Sequence, residues 1–280
     1  MAKSPKDSAS NKVALVTGAS SGIGKATAEK LLEKDYRVFV AARRLEKMRS
    51  LEALGAVSIA MDITKDEDIV CAVQRITVDH GGIDILINNA GYGFYGAIED
   101  VPIDEARRQF EVNLFGLARL TQLVLPKMRE KRFGKIVNIS SVGGKVYTPF
   151  GAWYYAAKHA LEGWSDCLRL ETKPFGIDVI IIEPGGIKTD WGLIAADHLK
   201  KTSGNGAYAN AANKTADIMA KSYSGEQLSD PSVVASVILK AVTAPKPKTR
   251  YHTGYGAGAV LMLRRKLSDR MFDRVVTSMM

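Results

Sequence analysis

The run Val13-Ala-Leu-Val-Thr17-Gly18-Ala-Ser-Ser-Gly22-Ile-Gly24 decides the fold. Its first five residues form a short apolar run of buried-strand type, followed at once by a turn holding three glycines. Beyond them Ile23, Ala26, Thr27, Leu31 and Leu32 recur at helical spacing. A strand, a glycine turn and a helix in immediate succession are the context in which a glycine motif carries meaning. Gly18 then permits the tight turn, Gly22 lets the backbone approach a pyrophosphate, and Gly24 lets helix pack on strand. The helix N-terminus faces the phosphates, where free amides and the helix dipole favour negative charge. The spacing is Gly-x-x-x-Gly-x-Gly rather than the commoner Gly-x-Gly-x-x-Gly.

Residues 36–42 (Tyr-Arg-Val-Phe-Val-Ala-Ala) read as a second strand. Sites that prefer NAD place an acid at the end of this strand to hold the ribose 2′-hydroxyl. Here that place holds Ala42, followed by Arg43 and Arg44. A carboxylate would repel a 2′-phosphate, whereas a guanidinium forks onto it, so NADP(H) is the preferred cofactor. A helix over 45–54 leads to a third strand over 56–61, ending at Asp62. A helix over 66–80 and a strand over 83–87 follow, and the strand runs into Asn88-Asn89-Ala90-Gly91. There small residues leave room for a flat ligand, and amides supply hydrogen bonds. Helices over 104–130 and 153–172 alternate with strands over 134–141 and 177–183. The expected class is therefore α/β, a Rossmann-type doubly wound parallel sheet flanked by helices on both faces. Ligand should lie beyond the carboxyl ends of the strands, where Thr17, Ala42, Asp62, Asn88 and Ser140 all fall.

A length of 280 residues with 46% apolar and 25% charged residues suits one large α/β domain or two small ones. No apolar stretch reaches the ~20 residues that a membrane span needs. Residues 1–11 are polar, lack the apolar segment of a secretory signal and read as a disordered arm. Cys71 and Cys167, the only cysteines, stand in helical, apolar contexts without metal-ligand spacing. We expect buried free thiols in a reducing compartment, no metal, and a cytoplasmic location. The net charge of +9 invites a nucleic-acid reading, but its distribution argues against one. From residue 245 onward eight basic residues oppose two acids, a local balance of 8 − 2 = +6, without the aromatic interleaving of single-strand binders.

The chemistry is carried by Ser141-Val-Gly-Gly-Lys-Val-Tyr-Thr-Pro-Phe-Gly-Ala-Trp-Tyr154-Tyr155-Ala-Ala-Lys158. Tyr154 and Lys158 are four apart and share one helix face. A free phenol titrates near ~10, too high for a base at neutral pH. A cation one turn away favours phenolate and should bring it down. Ser141 ends an apolar strand, and its hydroxyl can donate to a developing oxyanion. Asn113, inside an otherwise apolar helical run, is unfavourable unless its side chain or a local bend has work to do.

Together these residues resemble the short-chain dehydrogenase/reductase family, in order and spacing, over roughly residues 12 to 190. The elements are Thr17-Gly18-x-x-x-Gly22-x-Gly24, Asp62, Asn88-Asn89-Ala90-Gly91, Asn113, Ser141, Tyr154-x-x-x-Lys158 and Pro184-Gly185. Ser141 stands thirteen positions before Tyr154 (154 − 141), which selects it over Ser140. Tyr154, not Tyr155, stands four before the lysine. The resemblance implies that Tyr154 is general acid in carbonyl reduction and base in alcohol oxidation. It implies that Lys158 lowers the tyrosine and binds the nicotinamide ribose, and that Ser141 hydrogen-bonds the substrate oxygen. Asn113 holds a helix bend and a water that relays protons to Lys158. Gly18, Ser20, Gly22, Ile23 and Gly24 cradle the pyrophosphate, with Asp62 and Ile63 near the adenine. Asn89, Ala90 and Gly91 line the cofactor, and Pro184, Gly185, Ile187 and Thr189 bracket the carboxamide. Ser21 stands where NADP-preferring members often carry a basic residue, so Arg43 alone marks NADP and NAD(H) stays open as a second cofactor.

The expected division is a catalytic domain over 12–256, holding a helical substrate lid over about 190–229, and a C-terminal helical extension over 257–280. Tyr92, Phe94, Tyr95, Tyr147, Phe150, Trp153 and Trp191 lie near the expected pocket mouth and suggest an apolar ketone, aldehyde or secondary alcohol as substrate. Val260, Leu263, Leu267, Met271, Val275 and Met279 form one amphipathic stripe, similar in setting to the 17β-hydroxysteroid dehydrogenase-like branch. Docking on its own chain or a sister subunit is preferred for this helix over lying on an anionic membrane. The resemblance suggests a homo-oligomer, dimer or tetramer. The alternative to an oxidoreductase is a dinucleotide-binding sensor or scaffold without turnover, but such proteins lose the tyrosine or lysine that is kept here. A methyltransferase or epimerase is disfavoured by the complete motif set.

Overall fold

A computed structural model describes residues 12–278, so the expected N-terminal arm lies outside the described residues. Seven strands form one parallel sheet in the order β3-β2-β1-β4-β5-β6-β7. They are β1 (Val13–Thr17), β2 (Arg37–Ala42), β3 (Val57–Ala60), β4 (Ile85–Asn88), β5 (Gly134–Ile139), β6 (Ile177–Pro184) and β7 (Arg250–Thr253). Between them run α1 (Gly22–Leu32), α2 (Arg49–Glu52, entered through a 3-10 turn at Leu45–Met48) and α3 (Asp66–His80). Next come α4 (Ile103–Phe110) and α5 (Gly116–Lys131), joined through one wide turn of π type at Glu111–Phe115, and then α6 (Ala152–Thr172). The remainder is α7 (Trp191–Ser203), α8 (Ala209–Ser224), α9 (Pro231–Thr243), α10 (Ala257–Lys266) and α11 (Asp269–Ser278).

The sheet is buried on both faces, which is why its strands read as continuous apolar runs. Side chains alternate across it. Ala14, Val16, Val38, Val40, Ile85, Ile87, Val137 and Ile180 pack with Leu31 of α1 and Val234 and Ile238 of α9. Val13, Leu15, Phe39, Leu86, Ile136 and Val179 face the other way, onto Ile69 of α3, Leu120 of α5 and Leu168 of α6. Each such buried aliphatic side chain contributes about 2 kcal/mol from water exclusion alone. Strand order reverses between β1 and β4, which opens a crevice at their carboxyl ends.

Two expectations need correction. Cys71 and Cys167 are free but exposed, not buried. Helix α3 buries Ile69, Ala72, Val73 and Ile76, and α6 buries Leu161, Ser165, Leu168 and Thr172, so each cysteine falls on the outer face. The C-terminal stripe is not one helix either. The chain breaks at Leu267, which is extended (φ −95°, ψ 141°), and α11 restarts with a rotated face. The buried residues become Phe272 and Val276, packed on Val146 and Tyr147, while Met271 is exposed. Met279 lies outside the described residues. The tail therefore docks on its own chain, with Arg264 stacked over Tyr147 and Phe272 and paired to Asp269 at 2.8 Å. Among the described residues, no helix is long and apolar enough to cross a membrane, and no cluster of His, Cys, Asp and Glu could hold a metal.

Candidate active site

The glycine turn shows why its residues must be small. Gly18 and Gly22 have φ of +65° and +55°, the left-handed region that favours glycine. A Cβ on Gly18 would lie 2.9 Å from Ala90 Cα, and one on Gly24 would lie 2.5 Å from both Asn89 Nδ2 and Gly18 O. Gly24 thus sets the approach of α1 to the end of β1. Thr17 ties the same point together, because its Oγ1 accepts from the amides of Asn89 and Ala90, both at 3.0 Å. Asn89 itself donates through Nδ2 to the carbonyls of Thr17 (2.9 Å) and Gly18 (3.2 Å), so its side chain braces the turn.

Asn113 is fully buried in the wide turn between α4 and α5. Its Oδ1 accepts from Tyr92 N at 3.1 Å, and its Nδ2 donates to Tyr92 O at 2.8 Å. This two-point grip on the loop after Gly91 meets the cost of a buried amide in a helix. Tyr154 and Lys158 lie on the inner face of α6, both buried. Lys158 Nζ donates to Ile139 O at 2.8 Å and sits 6.0 Å from the Tyr154 ring centroid. Ser141 Oγ accepts from Gly143 N at 3.0 Å, which pins its rotamer at the end of β5.

The electrostatics differ from the expectation drawn from the helix spacing. Burial pushes the Tyr154 phenol well up, and the Ser141 hydroxyl is the one neighbour that draws it back. Burial also lowers Lys158, to about 8, against a raising influence from Glu162. Among the protein's own groups, desolvation outweighs the single cation. Burial thus favours the neutral phenol over phenolate.

All these elements open onto one cleft of about 1190 Å³. Its walls include Gly18, Ser20, Ser21, Gly22, Ile23, Arg43, Asp62, Ile63, Asn89, Ala90 and Gly91 at one end. Ser141, Tyr154, Lys158, Pro184, Gly185, Ile187 and Thr189 lie at the other. Of the residues given a catalytic or cofactor-binding part in the sequence reading, Gly24 and Asn113 do not line it, and both brace the wall from behind. Burial would raise the Asp62 carboxyl, but bonds from Thr64 and the Arg43 and Lys65 charges hold it below the usual range. Four of the seven named aromatics, Tyr92, Phe94, Tyr95 and Trp191, line the cleft. The other three do not: Tyr147 packs on Phe272, Phe150 on Tyr208 and Trp153 on Phe110. Arg44, named beside Arg43, lines it as well, and Tyr155, Ile194, His198, Tyr223, Lys47 and Arg108 line it unforeseen. The residues from α4, α7 and α8 carry no local motif; only the folded chain brings them there.

The cradle fits a dinucleotide. It offers two left-handed glycines, the free amides of the α1 N-terminus and arginines at the end of β2. A family profile described as short chain dehydrogenase matches residues 12–196. The uncharacterized oxidoreductase YusZ of Bacillus subtilis is 37% identical over 263 residues, 90% of this chain and 92% of that protein. The NADPH-dependent 3-dehydrocapnine reductase of Ornithobacterium rhinotracheale is 36% identical over 277 residues, 94% of this chain and 95% of its own. The crystal structure of a short-chain dehydrogenase from Streptomyces avermitilis superposes with a TM-score of 0.79 at 34% identity, over 96% of this chain and 98% of that one. With fold, cleft and motifs in agreement, the chain belongs to the short-chain dehydrogenase/reductase family and is a NAD(P)-dependent oxidoreductase.

Proposed function

We propose that the protein interconverts an apolar ketone or aldehyde and its alcohol, using NADP(H), with Tyr154 as general acid and base. The observation carrying this reading is the meeting of a buried phenol, a pinned hydroxyl and a buried ammonium beside the glycine cradle in one cleft. The bound nicotinamide would supply or accept the hydride. Ser141 donates to the carbonyl oxygen as charge develops there. Tyr154, protonated in the buried site, gives that oxygen its proton, and the Lys158 ammonium stabilises the phenolate left behind. In the oxidative direction the same phenolate takes the alcohol proton. The wide turn at Asn113, a local departure from regular helix beside the loop after Gly91, supports the placing there of a water that restores the proton through Lys158. Ser20, Ser21, Ile23, Ile63 and Thr189 are assigned to pyrophosphate, adenine and carboxamide contacts by their places on the cleft wall.

Arg43 supports the choice of NADP(H), with Arg44 and Lys47 beside it on the same wall, and the NADPH-dependent relative agrees. Removing a guanidinium from a phosphate forfeits charge-assisted hydrogen bonds of about 1.5–3 kcal/mol. Arg43→Ala should therefore weaken NADPH binding about tenfold or more, and NADH binding much less, by fluorescence titration. Equal losses would remove the arginine argument.

The cleft wall near Tyr154 is aromatic, with the rings of Tyr95, Tyr155 and Trp191 against its own, and Phe94, Ile194 and Tyr223 also line the cleft. Helices α7 and α8 pack on each other and over Tyr95 and Tyr154, which supports a lid role for this pair. Trp191, 5.0 Å from Tyr154 between ring centroids, is its inner contact. Trp191→Ala should raise KM for apolar carbonyls about tenfold, with a smaller effect on kcat. A carbonyl and alcohol panel read by nicotinamide absorbance tests the substrate class. Turnover confined to charged sugars or acyl thioesters would refute it. We further assign a homo-oligomeric state in the cytoplasm. Exposed Ile103, Phe115 and Leu170 on or beside α4–α6 support contact between copies, and analytical ultracentrifugation tests it.

A further inference from the structure

Behind the reacting groups lies a buried cluster of charge that the proposed reaction does not use. Glu162 stands one turn beyond Lys158 on the same face of α6 (162 − 158 = 4), with its side chain only 3% exposed. Its Oε2 accepts from Lys145 Nζ and from Arg250 Nε, each at 3.0 Å, while Oε1 is buried without a partner. Arg250, on β7, also holds Asp166 at 2.6 Å and lies 3.6 Å from Glu183 of β6. The space around Glu162 is tight: a Cβ on Gly144 would lie 2.8 Å from both Glu162 Cγ and Ser140 Oγ. A carboxylate is rarely buried unless its charge is answered. Here two of the answering cations reach it from outside the helix, and the third charge nearby is the catalytic lysine. Among the described residues no carboxylate pairs directly with Lys158, which bonds only the Ile139 carbonyl.

We propose that Glu162 is a positioning residue whose buried carboxylate keeps Lys158 in its ammonium form, and that Lys145 and Arg250 set how much of that charge Lys158 feels. The physical need is plain, since burial alone favours a neutral amine. The titratable groups around Lys158 are few. Tyr154 and Glu162 lie on its own helix. Glu183 on β6, Lys145 beyond the 142–144 turn and Arg250 on β7 meet it through Glu162. Burial and the neighbouring Glu162 charge push Glu183 up, against the Lys145, Arg250 and His252 charges. Glu162 is the influence that raises Lys158 against its burial, leaving it at about 8.

The inference rests on the proposed role of the Lys158 ammonium, so its test includes a titration that needs no turnover. In protein labelled with 13C at lysine Cε, the Lys158 resonance should titrate near the value the site sets. Glu162→Gln should move that titration, and the alkaline limb of kcat/KM for reduction, to lower pH by about one unit. Lys145→Met removes a cation that competes for the same carboxylate, so it should move both to higher pH. Glu162→Asp should restore most of the first shift. A merely structural role lowers stability in each variant without shifts of opposite sign. Should Glu162→Gln fail to fold, the half-exposed Lys145 remains the deciding site. An unmoved Lys158 titration in Lys145→Met overturns the proposal. A moved titration with an unmoved pH–rate limb keeps the electrostatic link but sinks the catalytic role of Lys158.

Discussion

Tyr154→Phe should cut the rate of carbonyl reduction by about three orders of magnitude, the scale of a lost general acid. NADPH affinity should stay close to that of the parent. The substitution removes one oxygen and leaves the ring, which packs on Trp191 at 5.0 Å, Tyr155 at 5.6 Å and Tyr95 at 6.0 Å between centroids. Tyr155 is no substitute donor, because its hydroxyl is engaged with Thr148 Oγ1 at 2.8 Å. The loss should therefore appear in kcat, with KM little changed, as expected for an interaction made in the transition state. Steady-state kinetics beside a fluorescence titration of NADPH separate the two. Turnover within a few fold of the parent would remove Tyr154 from the mechanism.

Gly24→Ala should damage fold and cofactor site together. The added methyl group meets Gly18 O and Asn89 Nδ2 at 2.5 Å, and neither is the loose end of a flexible side chain. Overpacking of this kind costs about 1–3 kcal/mol, and each kcal/mol lowers Tm by about 2–4 °C in a chain of this size. Relief requires α1 to move from β1, which displaces the amides of the cradle, so NADPH affinity should fall about tenfold or more. Gly163→Ala is the control. Its Cβ would meet nothing within 4 Å on the outer side of α6, so it should stabilise the chain by about 0.5–1 kcal/mol and leave binding unchanged. Differential scanning fluorimetry with and without NADPH measures both effects.

The strands were legible because a parallel sheet buries both faces, so each strand writes itself as an apolar run bounded by turn residues. The helix over 66–80 was legible in full, and that bearing Tyr154 and Lys158 to within one residue, because their amphipathic period is long and uninterrupted. The residues that line the cleft from turns after β1, β4, β5 and β6 were legible because they belong to motifs at fixed spacing. What did not show was whatever depends on a helix's rotation or on contact between distant segments. Cys71 and Cys167 look apolar in sequence, yet a rotation of less than half a turn puts them in solvent. The stripe from Val260 onward kept its spacing across Leu267, but the backbone became extended there and the buried face passed to Phe272 and Val276. Spacing alone placed a cation near a phenol. It could not say that burial would act on both groups and leave the phenol protonated. Glu162, Lys145 and Arg250 come from three separate elements and met only in the folded chain.

Hydride transfer to an apolar carbonyl, in the cleft between the glycine cradle and Tyr154, is the reaction proposed for this protein. The most direct test incubates the protein with an apolar ketone and NADPH carrying deuterium at the transferable ring position, followed by mass spectrometry of the alcohol. One deuterium should appear on the carbinol carbon, with incorporation lost in Tyr154→Phe. Tight NADPH binding with no labelled alcohol from any carbonyl of the panel would contradict it.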